Sequence, residues 1–444
     1  MIIAGQLLLP SVGDTCQLLP GWLRVEKGMI TQVQTGHIPP SADLGGEAYL
    51  ITPGFVDAHV HLPQFPVMGH DGGTLLDWLE QSVFPEEARW RDPGYAAERS
   101  QTVLRQMLSY GTTSCCAYAT VHAAGAAAAL ECFAAAGVRA GIGQVLMDRL
   151  APPELLCPVD QQLAETRALC QRYPRRQLAN PTVIHRVEAV VTPRFALSCT
   201  DGLLHGAGEI ARQTGALAQT HLAENLAECQ AVARLFPGMT YTEVYARAGL
   251  LGPRTLLAHG IHLSQTERGL LRRHGGTIVH CPTANNFLMS GIMPRDQWLA
   301  ESLPLALGSD IGAGTERSLV RVARAKIETA KNHSLRGQNP GKSGEVYCSP
   351  QTTPIVQPGP APVASEHHPT PAHAWWQITA GNAARLGWED VGRLCAGSAG
   401  DVLVIRPDAD WLSAPQPLGY ALFAWDDRWL RQTVVAGRVA WSAA

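Results

Sequence analysis

The chain has 444 residues, 46% of them hydrophobic and 16% charged, with a formal net charge of −3. That length accommodates one large domain and a small companion. Charge this sparse, against the ~25% usual for globular chains, leaves no basic stripe for nucleic acid and no polybasic segment for a membrane surface.

Residues 1–50 read as short alternating strands, "MIIAGQLLL" and "GWLRVEKGMITQVQ". The first has no positively charged start and soon meets Pro10, so it is expected to belong to the fold and not to a signal peptide. From residue 51 a rhythm sets in. Apolar, β-rich runs fall at 51–61, 111–119, 137–147, 186–195, 215–224, 254–263, 275–282 and 303–312, with amphipathic helical stretches between them. Eight strands alternating with helices predict parallel strands that close into a (β/α)8 barrel of the TIM type. Residues 335–372, dense in Pro, Gly, Ser and Thr, are expected as a loop, with a lid as the functional alternative. The tail, "AGDVLVIRP" and "LRQTVVAGRVAW", is strand-like again. It is expected to pair with the first segment in a small β-sandwich, dividing the chain into 1–50, 51–390 and 391–444. No uncharged apolar stretch reaches the ~18 residues of a spanning helix. The 11 cysteines are scattered without a Cys-X-X-Cys pair, which suggests reduced thiols in a cytoplasm.

His59 and His61 stand at i and i+2 at the end of the first barrel strand, so both rings point the same way. Strand five ends with His221, strand six with His259 and strand eight with Asp310. In a parallel barrel all strand C-termini meet on one rim, so these residues should converge. Imidazoles with a carboxylate suit zinc, or alternatively ferrous iron, and leave room for a water. Two ions would need a bridging ligand on strand four, often a carboxylated lysine. The four lysines are Lys27, Lys326, Lys331 and Lys342, none on that strand, and Glu188 sits at its start. One ion per chain is expected. Glu224, three residues past His221, is either a proton shuttle or a helix-start glutamate favoured by the dipole. His259 is either a further ligand or a hydrogen-bonding electrophile, and His280 could also approach the rim.

"PGFVDAHVH", "QTHLAEN", "LLAHGIHLS", "VHCPTANNFLMSG" and "GSDIGAG" together resemble the deaminase branch of the amidohydrolase superfamily. Within that branch "HLPQ" (61–64), "LLDWLEQSVFPEE" (75–87), "TPRFALSCT" (192–200) and "HCPTANNFLMSG" (280–291) are similar to the guanine deaminases. The resemblance implies that His59, His61, His221 and Asp310 hold zinc, that Glu224 and His259 act on the substrate, and that Gln64, Arg194 and Phe195 form a guanine pocket with Trp78 near it. It also implies a homodimer and a small purine substrate. "FPVMGHDGGT" after Gln64 and the segment 335–372 depart from the family pattern and leave the entrance open to question. The chemistry is consistent: an arginine can donate twin hydrogen bonds to O6 and N7 of guanine, a glutamine amide can donate and accept, and an aromatic face can stack on the base. Asp310 would then take a proton from water, His259 would orient the hydroxide for attack at C2, and Glu224 would protonate N3. The rivals are a deaminase of another heterocycle (8-oxoguanine, a pterin or a triazine), a cyclic amidohydrolase, and a non-catalytic assembly barrel.

Overall fold

A computed structural model describes residues 1–11, 13–175, 186–337 and 368–443. Its centre is a ring of parallel strands: Phe55–His61, Thr112–Tyr118, Arg139–Gly143 and Val187–Ala189, then Ala218–Leu222, Thr255–His259, Thr277–His280 and Leu305–Leu307. Each strand pairs in parallel with the next within its group of four. All eight expected strands are therefore present. They are buried along their whole length, as parallel strands covered on both faces must be.

Two seams close the ring. Val191 bridges to Ala218 in parallel, joining the fourth strand's extension to the fifth. On the other side the Asp310 amide donates to the His59 carbonyl at 2.9 Å, and the His61 amide to the Ile311 carbonyl at 2.9 Å. A Cβ on Gly308 would lie 2.6 Å from the His59 Cβ, so only glycine lets the eighth strand come this close to the first. The long helices Pro93–Ser109, Ala123–Ala136, Val159–Arg172 and Asp201–Thr214 separate the first five strands.

Strands from both ends share one seven-stranded sheet. Its order is Arg438–Ser442, Leu430–Val435, Val402–Ile405, Leu44–Pro53, Ile2–Ser11, Thr15–Glu26, Met29–Thr35. One face buries Ile3, Leu7, Ile51, Val402 and Val404; the other packs Leu8, Leu50, Leu403 and Ile405 against Trp375 and Trp411.

Two features change the expected outline. The segment Leu75–Arg89 is helical, interrupted by a π-turn at Leu79–Val83, a feature frequent at functional sites. The last long helix runs Leu319–Gly337 and the next begins at Pro371, so both ends of the expected loop 335–372 are helical. Of the rest of that segment, 368–370 are non-helical as expected, and 338–367 lie outside the described residues, as does the lid reading.

Candidate metal centre and substrate pocket

The five strand-end residues converge. Nε2 of His61 is 3.2 Å from Nε2 of His221. Oδ1 of Asp310 is 3.1 Å from Nε2 of His59 and 3.5 Å from Nε2 of His61. Donors bound at ~2.0 Å around a tetrahedral ion stand about 3.3 Å apart, so this spacing suits one metal. Ligand atoms of His59, His61, His221 and Asp310 all lie within 4.8 Å of one another, and all four residues are buried.

The tautomers agree with that use. Nδ1 of His221 is held by the Arg194 carbonyl at 2.7 Å, which leaves Nε2 as a lone pair facing the centre. Nε2 of His59 is buried and has no hydrogen-bond partner, a costly state that a cation would relieve. Burial holds all three imidazoles well below the ordinary histidine range, and the neighbouring imidazoles add to it. They are neutral, as ligands must be. The ring of Tyr118, at the end of the second strand, walls them in: it stacks on His61 with centroids 4.5 Å apart and touches His59 and His221.

His259 stands outside this group of four. Its Nδ1 pairs with Oδ1 of Asn285 at 2.9 Å, while Nε2 lies 3.8 Å from Oδ2 of Asp310 and 3.4 Å from Oε2 of Glu224. Glu224 is in the loop before helix Leu226–Leu235, not in the helix. The helix-start role falls to Glu228, whose Oε2 accepts from the backbone N–H groups of Glu224 at 2.9 Å and Asn225 at 3.1 Å. Ser290 donates to Oε1 of Glu224 at 3.0 Å. Burial pushes the Glu224 carboxyl up to about 8, with the charge of Asp310 adding to it; burial takes Asp310 to about 6. Three non-glycine residues adopt left-handed backbone here: Ala223 (φ 48°), His259 (φ 71°) and Asp310 (φ 53°). Each such residue stores ~1–3 kcal/mol of strain, concentrated where the functional groups are aimed.

A cavity of about 350 Å³ opens over these groups, at the small end of the range for small-molecule sites. Gln64, Trp78, Arg194 and Phe195 all line it, with Leu75, Leu79 and Leu288 as apolar walls. His280 does not line it. That ring is buried near Arg295 and Lys326 instead.

One residue of the site went unread. Glu87, on the Phe84–Arg89 helical turn, is 1% exposed and holds two pocket residues at once. Its Oε2 pairs with Nη1 of Arg194 at 2.6 Å, and its Oε1 accepts from Nε2 of Gln64 at 3.0 Å. The Gly312 amide fixes the other end of Gln64 by donating to its Oε1 at 3.2 Å. Arg194, expected in the pocket, lines the cavity and is also bound in a buried salt bridge. The spacing of Glu87 gave no signal: the nine positions from Trp78 to Glu87 put the two on opposite faces of a regular helix, and the π-turn at Leu79–Val83 lies between them.

A parallel barrel with a buried His/Asp donor set at its C-terminal rim defines the class of metal-dependent barrel hydrolases. Residues 50–440 match the Amidohydrolase family, and the chain belongs to it. It is 38% identical to the guanine deaminase of Dictyostelium discoideum over 300 residues, covering 66% of this chain and 64% of that one. To the guanine deaminase of Escherichia coli (strain K12) it is 29% identical, covering 88% and 83%. The structure of guanine deaminase from C. acetobutylicum with bound guanine in the active site superposes with a TM-score of 0.84, covering 99% of each chain at 28% identity. The chain spans just under two thirds of the length of the Dictyostelium relative. Among the described residues no helix is long and apolar enough to cross a membrane.

His61→Ala is expected to weaken metal retention by more than tenfold, since even changes behind the ligands cost ~10–100-fold. Elemental analysis after gel filtration checks this; full metal content in the variant would remove His61 from the ligand set.

Proposed function

We propose that this chain hydrolyses guanine to xanthine and ammonia with one bound zinc ion, ferrous iron being the alternative, held by His59, His61, His221 and Asp310. The observation that carries the reading is a single cavity in which Gln64, Arg194, Phe195 and Trp78 face the metal donor set and Glu224. When bound, a divalent ion of this kind lowers the pKa of water toward ~7.

The chain's own groups supply the rest. The guanidinium of Arg194, oriented by Glu87, presents its remaining donors to O6 and N7. Gln64 contributes its amide, and Phe195 and Trp78 flank the ring. Water adds to C2 as its proton passes to Asp310, with His259 orienting the oxygen. Glu224 protonates N3, takes up the proton of the new C2 hydroxyl and hands it to the amine; the C2–N bond breaks as C2=O forms, ammonia leaves, and the proton held by Asp310 recharges Glu224. Burial puts Glu224 (about 8) above Asp310 (about 6), the order an acid and a proton acceptor need. A cation would lower both carboxyls, Asp310 more because it would touch the ion, so the order is preserved.

The enzyme is read as a cytoplasmic homodimer of purine catabolism, with segments 1–50 and 391–444 forming one small unit beside a barrel of 51–390. An ammonia-release panel over guanine, 8-oxoguanine, adenine, cytosine, pterins and triazines tests the substrate. Guanine should lead by at least tenfold in kcat/KM; a higher value for another ring would replace it.

A further inference from the structure

Asp310 faces two sets of donors. Its Oδ1 lies beside His59 and His61, whereas Oδ2 looks toward Nε2 of His259 at 3.8 Å. Cys281, the residue after strand Thr277–His280, stands near both Asp310 and His259. Ligand atoms of His259, Cys281 and Asp310 lie within 4.8 Å of one another, and all three residues are buried. The tie between Nδ1 of His259 and Asn285 leaves Nε2 as the ring's lone pair, 3.4 Å from Oε2 of Glu224 and 3.8 Å from Oδ2 of Asp310. The carboxylate can thus offer one oxygen to each of two ions.

We propose that His259, Cys281 and Asp310 form a second site, for a soft divalent cation such as zinc or cadmium, and that filling it with excess metal inhibits the enzyme. The inference rests on the first metal site, because Asp310 is shared. Sulfur and imidazole select soft ions over magnesium or calcium. On binding, the Cys281 S–H proton is released to solvent as the sulfur–metal bond forms. Inhibition follows from which groups are used: Asp310 and His259 are the proton acceptor and the orienting group of the reaction. Oε2 of Glu224, 3.4 Å from Nε2 of His259, falls within the new cation's field. This second ion differs from a bridged catalytic pair, which would need a ligand on strand four.

The test uses the full-length protein, its ion content first measured by elemental analysis, then equilibrated with rising cadmium, with magnesium as the hard-ion comparison. The parent should take up cadmium to a total of two ions per chain and develop an ultraviolet thiolate-to-cadmium band. Ammonia release should fall in step with that band, and magnesium should do neither. Cys281→Ala and the near-isosteric Cys281→Ser should keep the first ion, lose the band, and need at least tenfold more cadmium for the second. Each variant's inhibition is scored against its own cadmium-free activity. A parent that holds its first ion but binds no second overturns this inference alone, and a parent with no ion at the start overturns the first site as well. Variants that bind the second cadmium with the parent's affinity and band would place it at another cysteine, such as the exposed Cys395.

Discussion

Glu224→Gln should retain its metal and its fold and lose about 10²- to 10⁴-fold in kcat, the usual contribution of a general acid/base group. Glutamine is nearly isosteric, and its oxygen can still accept from Ser290, which now donates to Oε1 at 3.0 Å. The backbone N–H that anchors the loop to Glu228 is untouched. What disappears is a proton that can be given and taken back. The carboxyl is suited to that work because burial, helped by the charge of Asp310, raises it to about 8 before any ion binds, well above the ordinary carboxylate range. Turnover, metal content and thermal midpoint measured on the same preparation separate the outcomes. A variant within a few-fold of the parent's kcat would make Glu224 a structural loop residue.

What could be read in the sequence was what periodicity and strand ends encode. His59, His61, His221, His259 and Asp310 were legible because each falls at or just past the end of an apolar run, and barrel geometry brings all such ends to one rim. Glu224 was legible through its offset from His221. Glu87 was not: a glutamate in a short helical turn looks the same whether it faces solvent or a buried arginine, and its partner is 107 positions away. Asn285 was missed for a similar reason, since its contact with His259 depends on a turn that begins only after the seventh strand. The terminal strands announced themselves by alternation. Their order in the sheet did not, because the parallel pairing of Ile2–Ser11 with Leu44–Pro53 is a tertiary choice with no local signature. His280 shows the converse limit. It stands at a strand end as His221 does, yet its ring lies outside the cavity, because strand alternation sets which face a residue presents.

The pair of Arg194 and Glu87 gives the second large effect. Their side chains are 3% and 1% exposed and 2.6 Å apart. Arg194→Met keeps much of the stem's bulk beside Phe84, whose ring the guanidinium now faces at 5.4 Å, but strands a buried carboxylate. Breaking such a pair costs ~3–5 kcal/mol, so the single variant should unfold at markedly lower denaturant. Its kcat/KM for guanine should also fall at least tenfold, because the donors to O6 and N7 are gone. These two losses have different causes, and a second substitution separates them. In Arg194→Met/Glu87→Gln the buried charge is removed, while the new amide oxygen can still accept from Nε2 of Gln64, so that residue keeps its place. Stability should recover by about 2 kcal/mol, the uncompensated carboxylate being replaced by an amide with at most a donor left unpaired, which costs ~1–3 kcal/mol. The loss in kcat/KM should remain, with metal content whole throughout. Chemical denaturation and guanine kinetics on the parent, the single and the double variant read both effects. If activity returns together with stability, Arg194 serves only as the counter-ion of Glu87. The recognition of O6 and N7 would then have to come from Gln64 and the backbone, and the choice among heterocycles would reopen.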